Sequence, residues 1–444
     1  VMVPTPKILD SSREHNADLI GMSGLITPSL EKMTHVARTL QRQGMTLPLL
    51  IGGATTSRAH TALKIDPHYK SPTVWVKDAS RAVGVAQSLI SKDLRGPFMA
   101  ANDADYAEIR ERHKNRGDAK RLVSLAKARG QKFDGGWSEY TPPTPNKPGI
   151  TVFDDYPLAE LVELIDWTPF FISWGLAGKY PKILQDEVVG EAARDLFDNA
   201  NDLMQKMIDE KLIVAKGVFK LMPARRTGAD TVTVYDKAPT EGGTAEYQFE
   251  HLRQQSDKAS GKPNFSLADF ISPSDAHTDY LGGFTVSIVG TEALAEQYKA
   301  AGDDYNAIMV QALSDRLAEA FAEHLHELIR KDYWGYQPTE SLTNDEMIKE
   351  KYVGIRPAPG YPACPEHTEK GKLFEWLSTT DAIGTKLTES YAMWPASSVS
   401  GFYYSHPESE YFNVGKISSD QLESYAERKG WDIKTAEKWL NPNL

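Results

Sequence analysis

With 444 residues, the chain is too long for one ordinary hydrophobic core, and two or three domains are expected. Hydrophobic residues at 41% and charged residues at 25% give a globular balance, which excludes a largely disordered chain. The formal net charge of -11 repels phosphate backbones and anionic lipid, so neither nucleic acid nor a membrane surface is an expected partner, whereas a cationic ligand is favoured. The single cysteine, Cys364, forbids an intramolecular disulfide, suits a reducing cytoplasmic setting and removes a three-cysteine iron–sulfur cluster. No apolar run approaches the roughly 18–20 residues that span a bilayer. The opening residues lack the basic flank and apolar stretch of a signal peptide and read as a domain entered partway through.

Along the first part of the chain, short apolar runs alternate with helical spacing. Residues 17–22 predict a buried strand, and 30–43 a helix carrying Met33, Val36 and Leu40 that stops at Gly44. Strand 48–51, helix 57–64, strand 73–76 and helix 80–91 follow. This alternation predicts βαβ units on a parallel sheet whose two faces are both covered. Residues 93–135 are polar and mixed in charge. They predict an interdomain connector, or equally a surface helix packed on one domain. Pro142, Pro143, Pro145 and Pro148 then stiffen the entry to the next region. From 149 onward, helical stretches (157–165, 188–211, 304–331) mix with β-like runs (231–235, 247–249, 284–289). The expected architecture is a flavodoxin-like α/β domain over 1–98, truncated at its N-terminus, a linker over 99–135 and a larger α+β domain over 136–444.

Two constellations carry chemistry. In an open parallel sheet, ligands bind outside the carboxyl ends of the strands. Three such ends are small or hydroxylic here: the segment from Ser23 through Thr27 to Ser29, the Gly52-Gly53 loop, and Asp78-Ala79-Ser80. Capping and turn chemistry can explain each loop by itself. Together they point to a large flat or nucleotide-like ligand. These loops resemble the cobalamin domain of cobalamin-dependent methionine synthases. In that family the nucleotide tail of cobalamin lies among them, and the matching positions are Ser23, Thr27, Gly52, Gly53 and Ala79. Ser29 matches a hydroxyl in the relay behind the histidine that ligates cobalt. The family's Asp-x-His-x-x-Gly loop, which supplies that histidine, has no counterpart here: His15, His35, His60 and His68 stand in no such motif.

The second constellation is a proline-bounded segment, 354–365, containing Arg356, Ala358, Tyr361 and Cys364. Four prolines fix φ and remove donors, so the segment predicts a preformed loop with free carbonyl acceptors. A sulfonium amino acid needs an arginine for its carboxylate, acidic groups near its cations and an aromatic wall. A structural turn is the plainer explanation of so many prolines. The order of residues resembles the S-adenosylmethionine-binding reactivation domain of the same family, and the match implies contacts from Asp166, Arg356, Ala358, Tyr361, Tyr411 and Phe412. The family has two tyrosines at the last pair; Phe412 keeps the ring and lacks the hydroxyl. On the 304–331 helix, Asp315, Glu319 and Glu323 follow i, i+4 spacing opposite an apolar stripe, the usual pattern of a solvated face. The resemblance instead brings Glu319 to the ligand. Cys364 and His367 form at most half a zinc site, and His324 and His326, two apart on a helix, cannot face one metal.

The resemblance thus implies two cofactors, cobalamin (as methylcobalamin) and S-adenosylmethionine, with zinc confined to an upstream module. The implied activity is that of a 5-methyltetrahydrofolate–homocysteine methyltransferase: reductive methylation of cob(II)alamin by S-adenosylmethionine sustains methyl transfer to homocysteine. The implied partners are upstream homocysteine and methyltetrahydrofolate modules and a flavodoxin or flavoprotein reductase as electron donor. The alternatives are a non-catalytic S-adenosylmethionine-binding regulatory module that docks such a flavoprotein, and a corrinoid carrier for another methyl donor.

Overall fold

The structure, a computed structural model, describes residues 3–24, 28–115, 122–259, 261–274 and 276–444. It divides into two compact units, Val1–Arg121 and Leu122–Leu444.

In the first unit, α1 (Thr5–Glu14) precedes β1 (Ile20–Ser23), α2 (Pro28–Arg42), β2 (Leu49–Gly52), β3 (Thr73–Trp75), α3 (Ala79–Ile90) and α4 (Lys92–Asn115). The three strands are parallel in the order β1-β2-β3, with Ser23 opposite Gly52 and Ile51 opposite Trp75. Side chains alternate across a strand, and β2 is apolar on both sides for that reason. Leu49 and Ile51 join Met33, Val36 and Leu40 of α2 in one cluster, while Leu50 joins Val74, Val76 and Leu89 in another.

Residues 99–115, expected within a linker, are the continuation of α4. Among the described residues, the surface-helix alternative is the one adopted. Tyr106 is 1% exposed, and its hydroxyl accepts the backbone N–H of Trp75 at 2.9 Å, closing the open edge of β3. Arg110 donates to the carbonyl of Ala62 at 3.0 Å and pairs with Asp66. Tyr106→Phe leaves that buried N–H without a partner, a cost of about 1–3 kcal/mol. Denaturant unfolding followed by Trp75 fluorescence should register this loss in the first unit, and an unchanged midpoint would show that α4 does not hold the edge.

The second unit is built on an antiparallel sheet. Its strands are β4 (Gly149–Tyr156), β5 (Val214–Arg226), β6 (Thr231–Tyr235), β7 (Ala245–Glu250), β8 (Asp279–Val289) and β9 (Ser398–Tyr403). The order is β9-β8-β5-β6-β7, and β4 pairs with the first half of β5. Helices α5 (Gly190–Asp209) and α6 (Asp304–Leu328) cover one face, where Leu203, Met207, Phe321 and Leu325 meet Phe219, Phe284 and Ile288. On the other face Val218, Leu281 and Phe402 pack against Leu373 and Trp376. Helices α7 (Ser419–Lys429) and α8 (Ile433–Leu440) end the chain. The expected helix 157–165 is only Leu158–Val162, because Asp166 caps a separate helix, Trp167–Ser173. No helix among the described residues is long and apolar enough to cross a membrane.

Candidate functional site

The proline-bounded loop is laid against β9 as a partial extra strand. Ile355 and Tyr404 exchange backbone hydrogen bonds at 3.0 Å each, and Phe402 N–H donates to Pro357 O at 2.8 Å. Val414 N–H donates to Pro362 O at 2.9 Å. The turn at its tip is closed by Tyr361 N–H to Ala358 O at 3.1 Å and by Gly360 N–H to Cys364 O at 2.7 Å. The sequence predicted free carbonyl acceptors here. These carbonyls are instead engaged in fixing the loop, because a buried carbonyl without a partner is costly. Gly360 has φ +100°, and a Cβ built on it would sit 2.5 Å from the ring of His367 beneath.

Between this loop, α6 and β9 lies a cleft of about 360 Å³. Its walls include Glu319, Glu323, Glu350, Arg356, Tyr361 and Tyr411, with Ala358, Phe284, Phe412 and Ser400. The Arg356 guanidinium, 14% exposed, donates from Nη2 to Glu323 Oε2 at 2.8 Å. Burial by itself would lower its basicity. Glu323 beside it, helped by the electron-rich oxygens of Tyr352 and Tyr411, holds it above its ordinary value. Arg356 Nε and Glu323 Oε1, both buried, have no partner among the described residues, and neither does Ser400 Oγ. Three carboxylates against one guanidinium leave the cleft a net of two negative charges (three minus one). Burial pushes the Glu350 carboxyl up, and Glu323 adds to the shift. The rings are arranged for flat contacts: Phe412 stacks on Phe265 at 5.6 Å, while Tyr361 is 60% exposed at the mouth.

Of the residues singled out from sequence, Glu319, Arg356, Ala358, Tyr361, Tyr411 and Phe412 share this one cleft. Asp166 does not line it. Its carboxylate accepts Thr168 N–H at 3.0 Å, the ordinary task of an Asp preceding a helix. Glu323, expected on a solvated face, turns into the cleft as the partner of Arg356; its i+4 spacing from Glu319 was the available signal. Tyr352 and Glu350 carried no sequence signal, since only the turn after the helix Asn344–Ile348 brings them here.

In the first unit, the loops leaving β1 and β2 interlock. Gly24 N–H donates to Gly52 O at 2.8 Å, and Gly53, at φ +100°, lies so close that a Cβ would meet Gly24 N and O at 2.4 Å. Ser23, Gly53 and Ala79 are exposed, and Gly52 and Ser29 are partly so. Thr27 lies outside the described residues. Of the histidines, His15 caps α1, His35 is in α2, and His60 and His68 are in the helical turns between β2 and β3, so none is on these loops.

Residues 157–430 match the family model for the activation domain of vitamin B12-dependent methionine synthase. The chain belongs to that family. A crystal structure of the MetH reactivation domain bound to AdoHcy is 50% identical to this chain, with a TM-score of 0.70, over 73% of this chain and 98% of its own. The chain is the C-terminal part of a methionine synthase.

The activation-domain cleft depends on the tip of its loop. Gly360→Ala combines a disfavoured backbone conformation with a clash on His367, a loss of about 1–3 kcal/mol. Thermal unfolding should fall by several degrees, and retention of the parent midpoint would mean that the turn is free to relax.

Proposed function

We propose that the cleft of the second unit binds S-adenosylmethionine and presents its methyl group for reductive methylation of cobalamin. The observation that carries this is the Arg356–Glu323 pair in the cleft wall, with one buried atom on each partner that no described group satisfies. A guanidinium with a free Nε takes the carboxylate of an amino acid, and a carboxylate with a free oxygen takes its ammonium. The surplus negative charge, from Glu319 and Glu350, favours a sulfonium over the neutral thioether that remains after transfer. Ala358 and the rings of Tyr361 and Phe412 offer the wall for adenosine. The AdoHcy complex of the related reactivation domain supports the same ligand class here. None of these residues is asked to move a proton. Their work is orientation, charge compensation and exclusion of water.

The exposed carboxyl edge of the first unit suits a large planar cofactor. Gly52-Gly53 bares the backbone, and Ser23, Ser29 and Ala79 are small around it. These residues would hold cobalamin by its tail. When bound, it supplies the cobalt that takes the methyl group. No histidine stands on these loops to serve as an axial ligand. In the whole enzyme, this reading makes the chain the reactivating part of a 5-methyltetrahydrofolate–homocysteine methyltransferase, a cytoplasmic protein served by a flavodoxin or flavoprotein reductase.

Calorimetric titration with S-adenosylmethionine tests the proposal. Arg356→Ala should weaken binding about 10- to 100-fold, the worth of a charged hydrogen bond. Equal affinity in both proteins would remove the cleft from consideration. Binding without methylation of added cobalamin under low-potential reduction would assign a purely regulatory role. The raised Glu350 carboxyl adds a pH signature. Acidification through its range protonates it, removes negative charge and should weaken S-adenosylmethionine more than S-adenosylhomocysteine; parallel pH profiles would contradict this.

A further inference from the structure

Tyr352, which lines the cleft with Arg356 and Tyr411, is joined to both by a chain of contacts that starts deeper in the unit. Arg330, just beyond α6, is fully buried and gripped by Glu340, which accepts from its Nε at 2.8 Å and its Nη2 at 2.6 Å. The Arg330 guanidinium lies 4.5 Å from the ring centroid of Tyr352. The imidazole of His326 meets the same ring edge-on at 4.7 Å and stacks on Tyr403 at 5.2 Å. Held between a cation and an imidazole, the Tyr352 ring is 8% exposed. Its hydroxyl lies 3.0 Å from the Tyr411 hydroxyl, which in turn accepts the backbone N–H of Arg356 at 2.9 Å.

A phenol has one proton and two lone pairs. Arg356 N–H occupies one lone pair on Tyr411. If Tyr411 donates to Tyr352, its proton is spent within the protein. If Tyr352 donates to Tyr411, the second lone pair is filled and the Tyr411 proton is free to point elsewhere. Among the described residues the Tyr352 hydroxyl has Tyr411 as its single partner, so nothing else competes for its proton.

We propose that Tyr352 is a positioning residue: by donating to Tyr411 it turns the Tyr411 proton into the cleft, beside Arg356, as a second donor to the carboxylate of the bound amino acid. This rests on the S-adenosylmethionine reading and deepens it. The Arg330–Glu340 pair is the anchor that keeps the Tyr352 ring from rotating out of reach.

The test is a double-mutant cycle on affinity in the full chain, with Tyr352→Phe, Tyr411→Phe and the pair. Tyr352→Phe should weaken S-adenosylmethionine about 2- to 3-fold, because the Tyr411 proton then chooses between two in-plane orientations and loses the polarising bond from Tyr352. In the Tyr411→Phe background the same substitution should change nothing further. Methylthioadenosine, which has the adenosine and sulfur but no amino acid, should bind Tyr352→Phe and wild type alike. Unchanged or tighter S-adenosylmethionine binding by Tyr352→Phe would overturn the role, because it would mean that Tyr411 donates to Tyr352. Additive losses, or an equal loss for methylthioadenosine, would reduce Tyr352 to a packing residue and overturn it too. Failure of wild type to bind S-adenosylmethionine at all would instead sink the ligand reading on which the role rests.

Discussion

A guanidinium and a carboxylate held at 2.8 Å inside a protein wall are costly to bury, and the attraction between them returns that cost only when the remaining donors and acceptors are also satisfied. Arg356 and Glu323 stop short of that condition. Each keeps one buried polar atom without a partner among the described residues, and both side chains line the cleft. On the reading proposed above, that incompleteness is what a ligand carrying both charges of an amino acid would make good.

The rest of the second unit serves to bring these two side chains together. Glu323 comes from α6, which is fixed on the sheet by Leu317, Phe321 and Leu325. Arg356 comes from a loop with no regular structure, yet that loop is stitched to β9 and closed at its own tip by backbone bonds. Tyr411 ties the Arg356 backbone to a third segment. A loop so constrained loses little entropy on binding, which is the advantage of a preformed site over one that folds around its ligand.

Much of this was legible in the sequence, for physical reasons that differ between elements. The apolar runs at 48–51 and 73–76 are near-continuous because both faces of a parallel sheet are covered, and β2 and β3 lie where that pattern put them. The stripe on α6 was equally clear. The central strand β5 was not: Lys216, Lys220, Pro223 and Arg225 interrupt it, and only tertiary partners such as Glu246 for Lys220 make those residues acceptable there. β9 was hidden by Ser398, Ser400 and Gly401, small residues that let the loop carrying Pro357 approach closely. At the site, motif order found Arg356 and Tyr361 but not Tyr352, whose importance lies in a ring contact and one hydroxyl distance. Helical spacing assigned Glu323 to solvent because periodicity reports which residues share a face, not what covers that face.

The first unit shows the complementary case. Its loops were recognisable because small residues at strand ends have few alternatives to a close backbone approach, and Gly53 realises that approach against Gly24. The open edge of these loops is a matter of backbone approach alone, whereas the cleft of the second unit carries charge as well as geometry.

The most direct measurement is a crystal structure of the chain grown with S-adenosylmethionine. The ligand should lie in the cleft between α6, β9 and the 354–365 loop, its carboxylate on the Arg356 guanidinium and its ammonium on Glu323. Density for the ligand elsewhere, or in the cleft with its carboxylate turned away from Arg356, would contradict this.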